Sequence, residues 1–146
     1  MRLKKAQKYT KSSRRKSNQA VEWLRASDID NRIKNLTKTL SIDWVNTKNV
    51  YCVRSKNTKT RAYARIWGLS RIWQLTLKKD PSYIIEVVSE RFDKLPEEEK
   101  DKVLLHEIAH IPKNFSGSLV PHYRRGKRKF KNKVDILVAQ YNKRKK

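Results

Sequence analysis

Hydrophobic positions recur at helical intervals toward both ends of the chain and in shorter alternating or continuous runs between them. From about Ser17 to Leu40, residues Val21, Leu24, Ile29, Ile33, Leu36 and Leu40 repeat every three to five positions. That spacing predicts one amphipathic helix, or two broken near Ser27–Asp30. Runs rich in β-branched and aromatic residues follow at Ile42–Val45, Val50–Arg54, Ala62–Trp67 and Ile72–Leu77, separated by Asn/Lys/Thr or Gly/Ser turns. They predict a small sheet, although Ala62–Leu69 also suits a helix. Tyr83–Val88, after Asp80-Pro81, is a further strong strand candidate. Pro96 then opens a helix to about Ile111, because proline is preorganised for the first helical position and Glu97, Glu98 and Glu99 complement the positive end of the helix dipole. Pro112 ends it. Residues 113–123, with Gly117 and Pro121, read as a loop, and Phe130, Val134, Leu137, Val138 and Tyr141 mark a basic helix over about Lys127–Tyr141.

The length of 146 residues suits one domain, and 37% hydrophobic residues with 4 Trp, 6 Tyr and 3 Phe suffice for a core. The pattern predicts an α+β fold: a small mixed or antiparallel sheet packed on an N-terminal helix and on the Pro96 helix, with a basic C-terminal helix added. A single cysteine, Cys52, excludes a disulfide scaffold and a cysteine-rich zinc ribbon, and reads as a small buried thiol. No stretch approaches the roughly 18 uncharged apolar residues of a membrane span, and no signal peptide is evident. The expectation is a cytoplasmic protein, associated with a nucleoid or a virus.

Charge changes this picture at the ends. The formal net charge is +23, yet residues 17–123 hold 18 cations against 13 acids. Residues 1–16 carry eight cations and no acid, and residues 124–146 carry eleven cations and one acid, Asp135. The expected organisation is a disordered basic arm over 1–16, a folded domain over 17–126, and a basic helix and tail over 127–146. Nucleic acid is the expected partner, held mainly through backbone phosphates by Lys4, Lys5, Arg14, Arg15, Lys16, Arg124, Arg125, Lys127, Arg128 and Lys129. An anionic membrane surface and simple solubility are the alternatives.

The candidate chemistry lies in His106-Glu107-Ile108-Ala109-His110. Histidines four apart share a helix face, so their imidazoles can converge on one zinc ion, while Glu107 borders that face as a general base. With three His and seven Glu in the chain, chance would supply this pattern roughly 0.003 times. His122 is the candidate third ligand, with Asp135 or another carboxylate as the substitute. Three ligands leave a fourth position open to water, as catalytic zinc requires. Tyr123 is either an oxyanion donor or a packed tyrosine. Asp135 either orients a ligand imidazole or serves as a helix charge or ion pair. The strand Ile84, Ile85, Glu86, Val87, Val88 is either an edge that accepts a peptide substrate by strand addition or an ordinary internal strand.

The segment Leu104–Pro112, with Phe92-Asp93-Lys94-Leu95-Pro96-Glu97-Glu98 before it and Phe115-Ser116-Gly117 and Pro121-His122 after it, resembles the phage-type metallopeptidase domain, a minimal zincin. More loosely it is similar to SprT-like and Wss1-like proteases that act on DNA-bound proteins. The resemblance implies a zincin-like fold, one Zn2+ per chain held by His106, His110 and His122, and Glu107 as catalytic acid/base. Two features depart from the SprT-like pattern: Tyr123 stands where glycine usually follows the third histidine, and one cysteine cannot build the zinc ribbon common there. The expected activity is zinc-dependent endopeptidase hydrolysis near nucleic acid. The alternative is a non-catalytic nucleic-acid-binding protein with a structural or vestigial zinc site.

Overall fold

A computed structural model describes residues 18–123 and 129–146. The helical spacing near the N-terminus divides into two elements. Strand β1 spans Glu22–Arg25 and helix α1 spans Ser27–Thr39, so the break predicted near Ser27 exists but what precedes it is a strand. The ladder decides the point of change, because the Ala26 amide donates to the Cys52 carbonyl at 3.0 Å and Asp30 Oδ1 accepts from the Cys52 amide at 3.0 Å. Ile29, Ile33 and Leu36 form the buried stripe of α1, and Asp28 and Asp30 in its first turn with Lys38 in its last complement the dipole.

The remaining elements are β2 (Val50–Lys56), β3 (Ala64–Gly68), α2 (Arg71–Leu77), β4 (Tyr83–Val88), α3 (Ser89–Phe92), α4 (Glu97–Ala109) and α5 (Lys129–Arg144). The sheet order is β1-β2-β4-β3, with β2 and β4 parallel and both outer strands antiparallel to their neighbours, so the sheet is mixed. Two predicted strands are absent. Ile42–Val45 is irregular, with Ile42 and Val45 in the core. Ile72–Leu77 lies in helix α2, where the alternation Leu75-Thr76-Leu77 imitates a strand while the backbone is helical.

β4 is not an edge strand. It lies between β2 and β3 and buries Tyr83, Ile85, Glu86, Val87 and Val88, the nearly continuous burial expected of a central strand. The edge beside α4 belongs to β3. Cys52 from β2 and Ile85 and Val87 from β4 join the helical residues Ile33, Leu104, Leu105 and Ile108 in one core. Helix α5 shares this core through Phe130 and Leu137. A polar tie fastens it: Tyr141 donates to Asp101 Oδ2 at 2.6 Å while Arg32 Nε donates to Asp101 Oδ1 at 2.6 Å, linking α5, α4 and α1. Among the described residues no helix is long and apolar enough to cross a membrane.

Candidate metal centre

Helix α4 carries His106 and, one turn on at its C-cap, His110, on a segment whose Leu104, Leu105, Ile108 and Ala109 are buried in the core. The core therefore fixes the rotation of the helix, and with it the direction of both imidazoles. Its end is fixed from α5, where Lys133 Nζ donates to the Ala109 carbonyl at 2.8 Å and to that of Ile111 at 3.3 Å. A cation at this point also favours the negative end of the helix dipole. Burial pulls the Lys133 ammonium below its ordinary pKa.

The loop after α4 brings the third histidine back to the first two. Tyr83 of β4 donates its hydroxyl to the Ser118 carbonyl and accepts from the Gly117 amide, both at 2.8 Å. Gln74 of α2 donates to the Ser116 carbonyl at 2.8 Å. Gly117 has φ +90°, and the backbones of Gly68 and Gly117 approach so closely that a Cβ on Gly68 would overlap the Gly117 carbonyl oxygen. Val120 then pairs twice with His110: its amide donates to the His110 carbonyl at 2.7 Å, and its carbonyl lies 2.6 Å from His110 Nδ1.

A carbonyl only accepts, so His110 Nδ1 carries the proton and Nε2 presents a lone pair. His122 Nε2 lies 2.9 Å from His106 Nε2 and 3.1 Å from His110 Nε2. One ligand atom from each ring lies within 4.8 Å of the others. Burial, reinforced by the two neighbouring rings, pulls His106 down to about 4, and burial also lowers His110. Imidazoles whose ring nitrogens converge in this way are a donor set suited to a metal cation.

Phe130, at the start of α5, backs all three rings. It stacks on His110 with centroids 4.2 Å apart, and its ring lies 5.1 Å from His106 and 4.9 Å from His122. Phe130 lines neither of the two cavities that meet at the centre. One, of about 680 Å³, is bounded by Tyr63, Ala64, Val103, Val134 and Val138, and the other, of about 530 Å³, by Ile66, Leu119 and Pro121. Ala64, His106 and Glu107 belong to both, so a cleft runs along β3 past the imidazoles. Glu107 is only 7% exposed and, among the described residues, has no hydrogen-bond or ion-pair partner; its burial pushes it up to about 7.

A family model described as Putative phage metallopeptidase matches residues 21–134. The chain belongs to that family. No curated protein and no solved structure matches it. Family membership supports a peptidase in general terms, and the three-histidine cluster supports a metal site.

The other predicted site residues are placed differently. Tyr123 is 81% exposed and has no hydrogen bond to the imidazoles. Asp135 is exposed at the wall of the larger cavity and makes no hydrogen bond to a histidine; the Val120 carbonyl orients His110 instead. Ile84, Ile85, Glu86, Val87 and Val88 are internal to the sheet, and Ala64 of β3 takes the cleft-side position. Lys4, Lys5, Arg14, Arg15, Lys16, Arg124, Arg125, Lys127 and Arg128 lie outside the described residues, and Lys129 is described only as the first residue of α5. The sequence reading missed Phe130 as part of the site. Its signal, an aromatic residue a few positions after His122, was absorbed into the apolar stripe of a basic helix.

Proposed function

We propose that this protein is a zinc-dependent endopeptidase of the H-E-x-x-H type, with His106, His110 and His122 as metal ligands and Glu107 as general base. The observation that carries the reading is the convergence of three imidazoles at the wall of a cleft containing a buried carboxylate without a partner among the described residues. Zinc, when held there, supplies Lewis acidity that polarises a peptide carbonyl and acidifies water. Glu107 takes the proton of the attacking water and delivers it to the leaving amine nitrogen. Its raised pKa suits both roles near neutral pH. The outer edge of β3, unpaired among the described residues, offers backbone groups that an extended substrate can pair with, and Ala64, being small, leaves room beside Glu107. The basic segments 1–16 and 124–129 bring the peptidase to nucleic acid.

The test combines metal analysis with a substitution. The purified protein is expected to hold one zinc per chain, and Glu107→Gln is expected to retain it while hydrolysing peptides about 10²–10⁴ times more slowly. Hydrolysis by Glu107→Gln at the wild-type rate would reject the base. Failure to bind zinc would reject the centre. An architectural metal site would leave both forms folded, metal-bound and equally inactive.

A further inference from the structure

Helix α2 inverts the usual burial of a surface helix. Its one buried side chain is polar, Gln74, whereas Ile72, Trp73, Leu75 and Leu77 are 71%, 57%, 62% and 51% exposed. Gln74 donates to the Leu69 carbonyl at 2.7 Å and to that of Ser116 at 2.8 Å, so the helix is tethered in this orientation. At 3.6 residues per turn, the four apolar side chains cover an arc of about 200°. Arg71 lies behind that arc, on the side of Gln74, and Lys78 follows the helix as its left-handed C-cap.

The apolar surface continues onto the sheet. Register places Trp67, Ile84 and Tyr51 side by side across β3, β4 and β2, all partly exposed on the face away from the core. Leu77 joins them around a shallow cavity of about 350 Å³. An apolar patch of this extent marks a contact surface.

Charge narrows the occupant. Arg71, Lys78 and Lys79 are exposed, and from Arg61 to Lys79 the chain has five cations and no acid before Asp80. A second copy at +23, or the basic segment 1–16, would bring like charge against this rim. Nucleic acid would meet the charge, and Trp67 and Trp73 offer its bases a stacking face, but the aliphatic Ile72, Leu75, Leu77 and Ile84 gain no partner from bases or phosphates. A flat protein surface covers only part of a 200° arc. The interfacial layer of an anionic bilayer meets every condition: aliphatic side chains enter the acyl boundary, tryptophan sits at headgroup level, and the cations behind reach phosphates.

We propose that α2, with the adjoining outer face of the sheet, inserts into the surface of membranes containing anionic lipid and holds the protein there without crossing. The proposal does not depend on the peptidase reading. Full-length protein is mixed with vesicles of phosphatidylcholine alone, or of phosphatidylcholine with phosphatidylglycerol, and binding is read by flotation at low and high salt. Brominated acyl chains report tryptophan insertion. Expected are binding to the anionic vesicles, part of it surviving high salt, and bromine quenching that Trp73→Phe reduces while binding persists. The double variant Ile72→Ser with Leu75→Ser is expected to bind roughly tenfold or more weakly, with unchanged thermal unfolding. Four results would each overturn the proposal: no vesicle binding; no quenching; wild-type affinity in the double variant; or a dimer or oligonucleotide complex that the double variant abolishes.

Discussion

The two faces of β3 sit beside two buried glutamates that are treated in opposite ways. On the outward face, Glu86 is 1% exposed and accepts from Arg65 Nε at 3.1 Å, Arg65 Nη2 at 2.8 Å and Trp67 Nε1 at 2.9 Å. Burial would raise its pKa, but the hydrogen bonds from Arg65 and Trp67 and the charge of Arg65 outweigh that and hold it below the ordinary carboxylate value. On the cleft side, Ala64 and Ile66 offer Glu107 no polar atom from their side chains, and burial alone acts on it. A carboxylate with both oxygens engaged is a structural part. One left unengaged beside three imidazoles costs stability in the resting protein and remains available for proton transfer.

The largest expected contrast is between the two Glu→Gln variants. Glu107→Gln should abolish most hydrolysis yet leave stability within about 1 kcal/mol of wild type or slightly higher, since it removes the cost of burying an unpaired acid. Glu86→Gln should lose about 2 kcal/mol in denaturant unfolding, discounted for the partial exposure of Arg65, and retain metal binding. If both variants lose stability equally, the distinction fails.

Phe130→Leu probes the aromatic behind the imidazoles, as Trp67 lies beside Glu86. Metal affinity measured by chelator competition should fall about tenfold, with circular dichroism unchanged. Unaltered affinity would reduce Phe130 to core packing. The smallest effect concerns pH. The pKa of Glu86 is lowered from 4.5 on folding, so its stabilisation is complete above that value and is lost as pH falls through the folded value. Glu86→Gln should therefore flatten, without abolishing, the acid limb of a plot of melting temperature against pH, because Asp28, Asp93 and Glu97 are also lowered.

The parts of the molecule legible in the sequence are those in which side chains state their own environment. Helix α4 was readable from Pro96, three glutamates and the histidine spacing, and β4 from its β-branched residues on both sides of Glu86. The position of β4 in the sheet was not, because edge or centre depends on which strands pair, and that information is nonlocal. Val120 acts through its carbonyl, which every residue possesses, so no side-chain pattern could announce it. Helix α2 misled because alternation usually signals one face buried, whereas here the apolar residues are outside and a glutamine is inside. Lys133 entered the sequence reading only as one of the eleven cations of residues 124–146, yet its ammonium engages the end of α4.

The meeting of Gly68 with Gly117 has a consequence for engineering this protein. Two missing methyl groups set the clearance between the strand lining the cleft and the loop that delivers His122. Enlarging either position would act as a wedge, shifting the third imidazole relative to the other two before any substrate arrived. Redesign of cleft width should therefore begin at Ala64 or Ile66, where added bulk narrows the channel without prising open the histidine trio.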